Sequence, residues 1–289
     1  MPADPSQSLA TLLVSCPDQK GIVASLAQVL YGHGANILDA DQHTDPAAAV
    51  FFQRIRFDHS ELRTDYTALL QGIREVADRL KMTWRLSDAG RLPRAAIFVS
   101  RTDHCLYDLL LRHRAGELRC ELSLIVSNHP DLAKVADQFG IPFHIFPIRS
   151  ETKAAQEAKE IALLDEQGID LVVLARYMQI LSGDFVDHFR HRVINIHHSF
   201  LPAFQGGRPY HQAHARGVKL IGTTAHYATV DLDEGPIIEQ DVIRASHRDT
   251  VQDLVRKGRD LERRVLSQAV RWHLDDRVLV YGNKTVVFS

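Results

Sequence analysis

The sequence predicts an α/β protein in two parts: a split βαββαβ sandwich of about 80 residues, then a larger doubly wound parallel sheet. Three observations predict it. Up to residue 86 the apolar pattern switches between period two and period 3.6 in the order strand, helix, strand, strand, helix, strand. Residues 87–93 are polar and carry Gly90 and Pro93, which marks a linker. From residue 94 to 289, read as one second domain after a first domain of 1–86, strands and helices mostly alternate, with helices placed to cover both faces of the sheet.

Residues 9–15 (Leu-Ala-Thr-Leu-Leu-Val-Ser) are apolar enough for a buried strand, which Pro17 and Gly21 break. Ile22, Val23, Leu26, Val29 and Leu30 recur at helical spacing until Gly32 and Gly34 stop the helix. Residues 35–41 and 49–58 are strands, and in the second Phe52, Arg54 and Arg56 alternate with Phe51, Gln53, Ile55 and Phe57. A helix over 66–80 and a strand over 82–86 close the first part. The second part has strands near 95–100, 121–126, 142–147, 170–175 and 192–197, with helices near 104–113, 130–139, 152–167 and 182–189. Strands over 219–229 and 236–243 then pair through a turn at 231–235. A helix over 250–274 and a hairpin over 277–288, turning at Gly282-Asn283, end the pattern.

Composition excludes several classes of function. The 289 residues carry 34 Lys+Arg against 36 Asp+Glu, a formal charge of −2, so there is no basic excess for a nucleic-acid backbone or an anionic membrane. No run approaches the ~18 apolar residues of a membrane span, and the start lacks a secretory pattern, so a cytoplasmic location is expected. The three cysteines, Cys16, Cys105 and Cys120, are odd in number and lack CxxC spacing, which argues for buried thiols.

Ligands of open parallel sheets bind beyond the carboxyl ends of the strands. There Asn195-Ile-His197-His198-Ser199-Phe-Leu-Pro202 follows an apolar strand, and period-two geometry puts Asn195 and His197 on one side. Asp231 and Asp233, in the turn before Gly235, could bring a carboxylate to the same crevice. Amide, imidazole and carboxylate suit attack on a carbonyl. On spacing alone the bland readings stay open: Asn195 bonding a loop, His197 a core histidine, Asp233 a turn carboxylate. His197, His198, His211, His214 and His226 invite a metal reading, but HExxH is absent and no metal is expected. Ser199 lacks the GxSxG context of a nucleophile.

Asn195-Ile-His197, Ser199-Phe-Leu-Pro202 and the run His226 to Gln240 resemble the folate-dependent formyltransferase family, with its triad matching Asn195, His197 and Asp233. The likeness to its deformylase branch is carried by Asp103-His-Cys-Leu106, Leu174 to Leu181, His197 to Phe204, Pro209-Tyr-His-Gln212 and Gly282 to Phe288. Cys16 to Val23 and Gly34 to Ile37 resemble an ACT domain. The resemblance thus implies a ferredoxin-like ACT domain followed by a Rossmann-like formyltransferase-type domain. It implies hydrolysis of 10-formyltetrahydrofolate to formate and tetrahydrofolate, in one-carbon metabolism and purine biosynthesis, with folate as substrate and no cofactor. Asn195 and His197 would face the oxyanion and Asp233 the water. Arg176, Tyr177, Met178, Gln179, Ile180 and Leu181, with Val230, Asp231 and Leu232, would form the pterin slot. A charge at Leu181 is expected to raise KM. Asp18, Gly21, Asn36 and Ile37 would bind an amino-acid effector, methionine or glycine, in a homo-oligomer, dimer or tetramer.

The alternative is a formyltransferase with an amine acceptor. Transferases with phosphorylated acceptors carry a glycine-rich first loop whose bare N–H groups cradle phosphate. Here that loop is Ser100-Arg-Thr-Asp-His-Cys105, without glycine and with Asp103 adding negative charge, although Arg101 could still pair with an anion. Water needs no such cradle, so hydrolysis is favoured.

Overall fold

The computed structural model describes residues 8–203 and 209–289; Phe204, the end of one quoted motif, and the start of the chain lie outside the described residues. Two compact units are present. One runs to Leu92 and includes Asp276–Tyr281 and Val286–Ser289; the other comprises Pro93–Asp275 and Gly282–Thr285.

In the first unit, β1 (Leu9–Pro17), α1 (Ile22–His33), β2 (Asn36–Asp45), β3 (Val50–Asp58), α2 (Tyr66–Arg79) and β4 (Thr83–Asp88) follow the expected order. The antiparallel sheet runs β2-β3-β1-β4. Leu12 and Val14 of β1 with Ile55 and Phe57 of β3 face Leu26, Leu30, Leu69 and Ile73 of the helices. Gly34 ends α1 at φ +88, where a Cβ would come within 2.9 Å of the Arg63 backbone N, so glycine is required. Asp65 caps α2, accepting from the Ala68 N–H.

The second unit continues with β5 (Arg94–Val99), α3 (His104–Arg114), β6 (Glu121–Ser127), α4 (Ala133–Gln138), β7 (Phe143–Ile145), α5 (Lys153–Glu166), β8 (Leu171–Leu174), α6 (Gly183–His188), β9 (Val193–His197), α7 (Pro209–Arg216), β10 (Leu220–Tyr227), β11 (Ile237–Arg244) and α8 (Val251–Leu274). Its seven strands are ordered β11-β10-β9-β8-β5-β6-β7. β5 to β9 are parallel, while β10 runs antiparallel to β9 and β11 antiparallel to β10. The chain leaves β5 toward β6 and β7, then returns to its other side with β8 and β9. This reversal opens a crevice at the carboxyl ends of β5 and β8. The buried runs Ala95–Val99 and Leu171–Leu174 show why these strands read as continuously apolar.

One sequence expectation needs correction. The terminal strands, β12 (Val278–Tyr281) and β13 (Lys284–Val287), were expected to belong wholly to the second domain, 94–289. Most of them count with the first unit, where Leu279, Tyr281, Val286 and Phe288 cover Leu13 and Phe52. β3 is therefore buried on both faces. Arg54, at 4% exposure, donates through Nη1 to Asp39 and through Nε to the Asp276 carbonyl. Period-two alternation assumes one wet face, and no local pattern announces a cover from residues more than 220 positions away.

Candidate active site

The carboxyl ends of β8, β9 and β10 deliver the side chains that the sequence singled out. β9 and β10 pair antiparallel with Asn195 opposite His226 and His197 opposite Thr224. The β10–β11 turn returns Asp233 toward β9. Asp233 sits at φ +59, which aspartate tolerates better than most residues. Gly235 lets the turn close: a Cβ there would lie 1.8 Å from the Tyr227 carbonyl oxygen. His197 Nδ1 is then 3.1 Å from Asp233 Oδ1, with both side chains largely buried. His197 Nε2 is buried with no partner.

His226 joins this cluster, although triad reasoning left it out. Its Nδ1 donates to the Tyr227 carbonyl at 3.0 Å, so in the neutral ring Nε2 accepts from Asn195 Nδ2 at 3.1 Å. That bond fixes the Asn195 amide and leaves its second N–H for another acceptor. His226 Nε2 also lies 3.7 Å from Asp233 Oδ1. The signal was in the strand register, since His226 directly faces Asn195.

The electrostatics follow from these contacts. Burial raises the Asp233 pKa, but the hydrogen bond and charge of His197, joined by His226 when that ring is protonated, outweigh it and hold the carboxyl well below the usual range. Burial, with the charges of Arg176 and His197, pushes His198 down to about 4, so that ring is neutral near pH 7.

These groups open on a cavity of about 540 Å³, a size that suits a small organic ligand. Arg176, Tyr177, Met178, Gln179, Ile180, Leu181, Val230 and Leu232 line it together with Asn195, His197 and Asp233. Asp231 lies on the same turn, exposed and outside the lining, with its carbonyl accepting from Thr229. Tyr177 borders the cavity but packs its ring edge-on against Phe98 and points its hydroxyl at Glu160. Leu181 doubles as a core residue. Met178, Ile180, Val230 and Leu232 are instead exposed apolar side chains, the residues a planar ligand would cover. The loop is anchored by the Met178 N–H donating to Ser100 Oγ and by the Ser182 N–H donating to Glu157.

Sequence reasoning also missed a polar cluster in the lining. Glu262 of α8, 1% exposed, accepts from His104 Nε2 at 2.7 Å and from the Tyr210 hydroxyl at 2.8 Å. Burial opposes its ionisation, but His104 and Arg176 outweigh burial and keep it a carboxylate. His104, Cys105 and Glu262 form the one set of three metal-capable groups found among the described residues. Arg176 Nε lies 3.5 Å from Glu262, and burial drives the Cys105 thiol well up, both unfavourable to a cation. Of the effector candidates, Asp18, Gly21, Asn36 and Ile37 are all exposed, at the turn into α1 and the start of β2.

The family model for formyl transferases matches residues 93–270, and that for ACT domains matches residues 10–71. A formyltetrahydrofolate deformylase of Synechocystis sp. is 60% identical over 280 residues, covering 97% of this chain and 98% of the relative. The chain belongs to the formyltetrahydrofolate deformylase family. The crystal structure of a Pseudomonas syringae deformylase superposes with a TM-score of 0.94 at 44% identity, over 97% of this chain and 94% of that one. A glycinamide ribonucleotide transformylase from Symbiobacterium toebii matches with a TM-score of 0.64 at 31% identity, covering 68% of this chain and 95% of its own. Deformylase likeness thus spans nearly the whole chain, and transformylase likeness only part of it. No helix among the described residues is long and apolar enough to cross a membrane.

One group beneath this deformylase-family site gives a stability prediction. Glu160 of α5 is fully buried, and burial pushes its carboxyl up to about 7. The folded value exceeds that of an unfolded glutamate, about 4.3, so the contribution to stability is full below pH 4 and is lost as pH rises through 7. Glu160→Gln should therefore raise Tm at pH 8 by several degrees, equivalent to ~2–3 kcal/mol, and leave it nearly unchanged at pH 4.5. An equal shift at both values would show that Glu160 is not titrating.

Proposed function

We propose that this chain hydrolyses 10-formyltetrahydrofolate to formate and tetrahydrofolate through Asn195, His197 and Asp233. The observation that carries the triad is the His197–Asp233 pair at 3.1 Å, with the opposite ring nitrogen buried and unpartnered. As water adds to the formyl carbon, the carbonyl oxygen gains charge. The second N–H of Asn195 and Nε2–H of the His197 imidazolium donate to it. Asp233 stabilises that imidazolium and orients the water. A carboxylate titrating so low is a weak base in the ground state; it takes the water proton as the tetrahedral intermediate forms and returns it to the departing N10.

Tetrahydrofolate lies in the slot of Arg176 to Leu181 and Val230 to Leu232, Asp231 included as part of the turn. Ile180→Asp and Leu232→Asp test this better than a change at Leu181, because neither side chain supports the core. Each should raise KM for the folate by about 10-fold or more with the fold intact, as expected when a buried apolar contact of ~1.5 kcal/mol is lost. An unchanged KM in both would remove this slot.

The deciding experiment incubates the purified protein with 10-formyltetrahydrofolate and no acceptor. Stoichiometric formate and tetrahydrofolate, lost in His197→Ala, support the reading; formyl transfer only when an amine is supplied would replace it with a transferase. The first unit is an ACT-type effector domain for methionine or glycine, binding near Asp18, Gly21, Asn36 and Ile37, in a homo-oligomer in the cytoplasm. Calorimetric titration with both amino acids tests it, and neither binding nor a rate change would leave oligomerisation as its sole role.

A further inference from the structure

The run Gly282 to Phe288 carries part of the deformylase likeness, yet none of its residues lines the cavity. Its tip, Gly282–Thr285, counts with the second unit. Two side chains of that tip donate to the backbone of the turn that presents Asp233. Asn283 Nδ2 donates to the Glu234 carbonyl at 2.7 Å, and Thr285 Oγ1 donates to the Ile237 carbonyl at 2.6 Å. The two acceptors flank Gly235 and Pro236, so the tip grips one short stretch of main chain from both ends.

That stretch has few internal ties. The Glu234 N–H reaches the Asp231 carbonyl only at 3.3 Å, and the Thr229 hydroxyl donates to the same carbonyl at 3.0 Å. Pro236 has no N–H to donate. Its carbonyl accepts from the Tyr227 N–H at 2.9 Å, and the β10–β11 register then shifts between Ala225 and His226. Asp233 itself sits at φ +59, a conformation that persists only where its neighbours hold it. The bond from Asn283 falls on the very next residue.

An exposed hydrogen bond adds little to overall stability, because water competes for both partners. Its local effect is larger in consequence here. A net gain of the usual size favours one backbone arrangement over its alternatives by about 3- to 10-fold, and two such bonds act together on this turn. The arrangement they favour is the one that leaves Asp233 Oδ1 3.1 Å from His197 Nδ1.

We infer that Asn283 and Thr285 are positioning residues for the reaction, holding the Glu234 to Ile237 backbone so that Asp233 stays on His197. Neither touches the reacting atoms. The inference rests on the role given to Asp233 above.

The test compares Asn283→Ala, Thr285→Val and the double variant in the full-length protein, with folding checked by circular dichroism and Tm. The double variant should lose about 10-fold in kcat for formate release, with KM for the folate within about 2-fold of wild type. Each single variant should lose part of this, and Thr285→Ser, which returns a hydroxyl, should recover the loss of Thr285→Val. Gly282→Ala keeps both donors, since its added Cβ meets nothing within 4 Å. The decisive readout is a cycle with Asp233→Asn. Once the carboxylate is gone, removing both tip side chains should lower the remaining kcat by less than about 2-fold. Full multiplication of the two losses would overturn the inference, as would wild-type kcat in the folded double variant. A loss that Thr285→Ser fails to recover, or one that falls on KM alone, would overturn it too. The hydrolytic reading fails separately, if the wild type releases no formate from 10-formyltetrahydrofolate.

Discussion

Asn195→Ala and Asp233→Asn should each lower kcat for formate release by about 10²–10³ or more while the protein stays folded. The two substitutions remove different things. Asn195→Ala deletes the amide whose second N–H is proposed to meet the developing oxyanion, and it leaves His226 Nε2 without its partner at 3.1 Å. Asp233→Asn keeps the shape and the tolerance of φ +59, so it removes charge without adding backbone strain. Its loss should fall on kcat, with KM for the folate changed little, because the charge acts on the transition state rather than on the bound pterin. Asp233 is ionised far below neutrality, so the acid side of the pH–rate profile above pH 5 should not report its titration. Its pairing with His197 stabilises the fold above the usual aspartate range, and that contribution is lost only as pH falls below about 4. Steady-state rates from pH 5 to 9 check the kinetic claims, and Tm measured from pH 2 to 6 checks the stability claim. Near-wild-type turnover in either folded variant would sink the role assignment.

Gly235→Ala should be nearly as damaging, although residue 235 touches no substrate. A methyl group there would meet the Tyr227 carbonyl oxygen at 1.8 Å, and backbone cannot rotate aside as a side chain can. The turn must shift, carrying Asp233 away from His197 Nδ1. A displacement of roughly 1 Å in a positioned group costs about 10²-fold in rate. A fall in kcat of that order, together with a lower Tm, is expected. The comparison that isolates the cause is Gly282→Ala: this hairpin-tip glycine, unlike Gly235, has positive φ, yet nothing stands within 4 Å of its added Cβ. It should lose a little stability through strain and keep its turnover. Equal turnover in the two variants would show that the contact at Tyr227 does not hold Asp233 in place.

Much of this molecule was legible before any coordinates. Period-two and period-3.6 patterns are local, so the order of elements in both units followed from apolar spacing, with Gly34 and the Gly282-Asn283 turn as punctuation. Asn195 and His197 were legible together because alternate residues of a strand share a side, and Asp233 because the acidic turn before Gly235 had to follow the next strand. What tertiary structure alone decided depends on residues far apart in sequence. Register across β9 and β10 set His226 against Asn195 and made it the group that orients the amide. The covering of Phe52 and Arg54 by the last strands turned an apparently one-sided β3 into a two-sided one. Glu262 was the hardest to read, since in sequence it is one charge among many on a long amphipathic helix, where a carboxylate is normally solvated. Only the folded arrangement, which brings His104 and Tyr210 to it as hydrogen-bond donors and Arg176 as a nearby cation from three other segments, lets a charge remain ionised at 1% exposure.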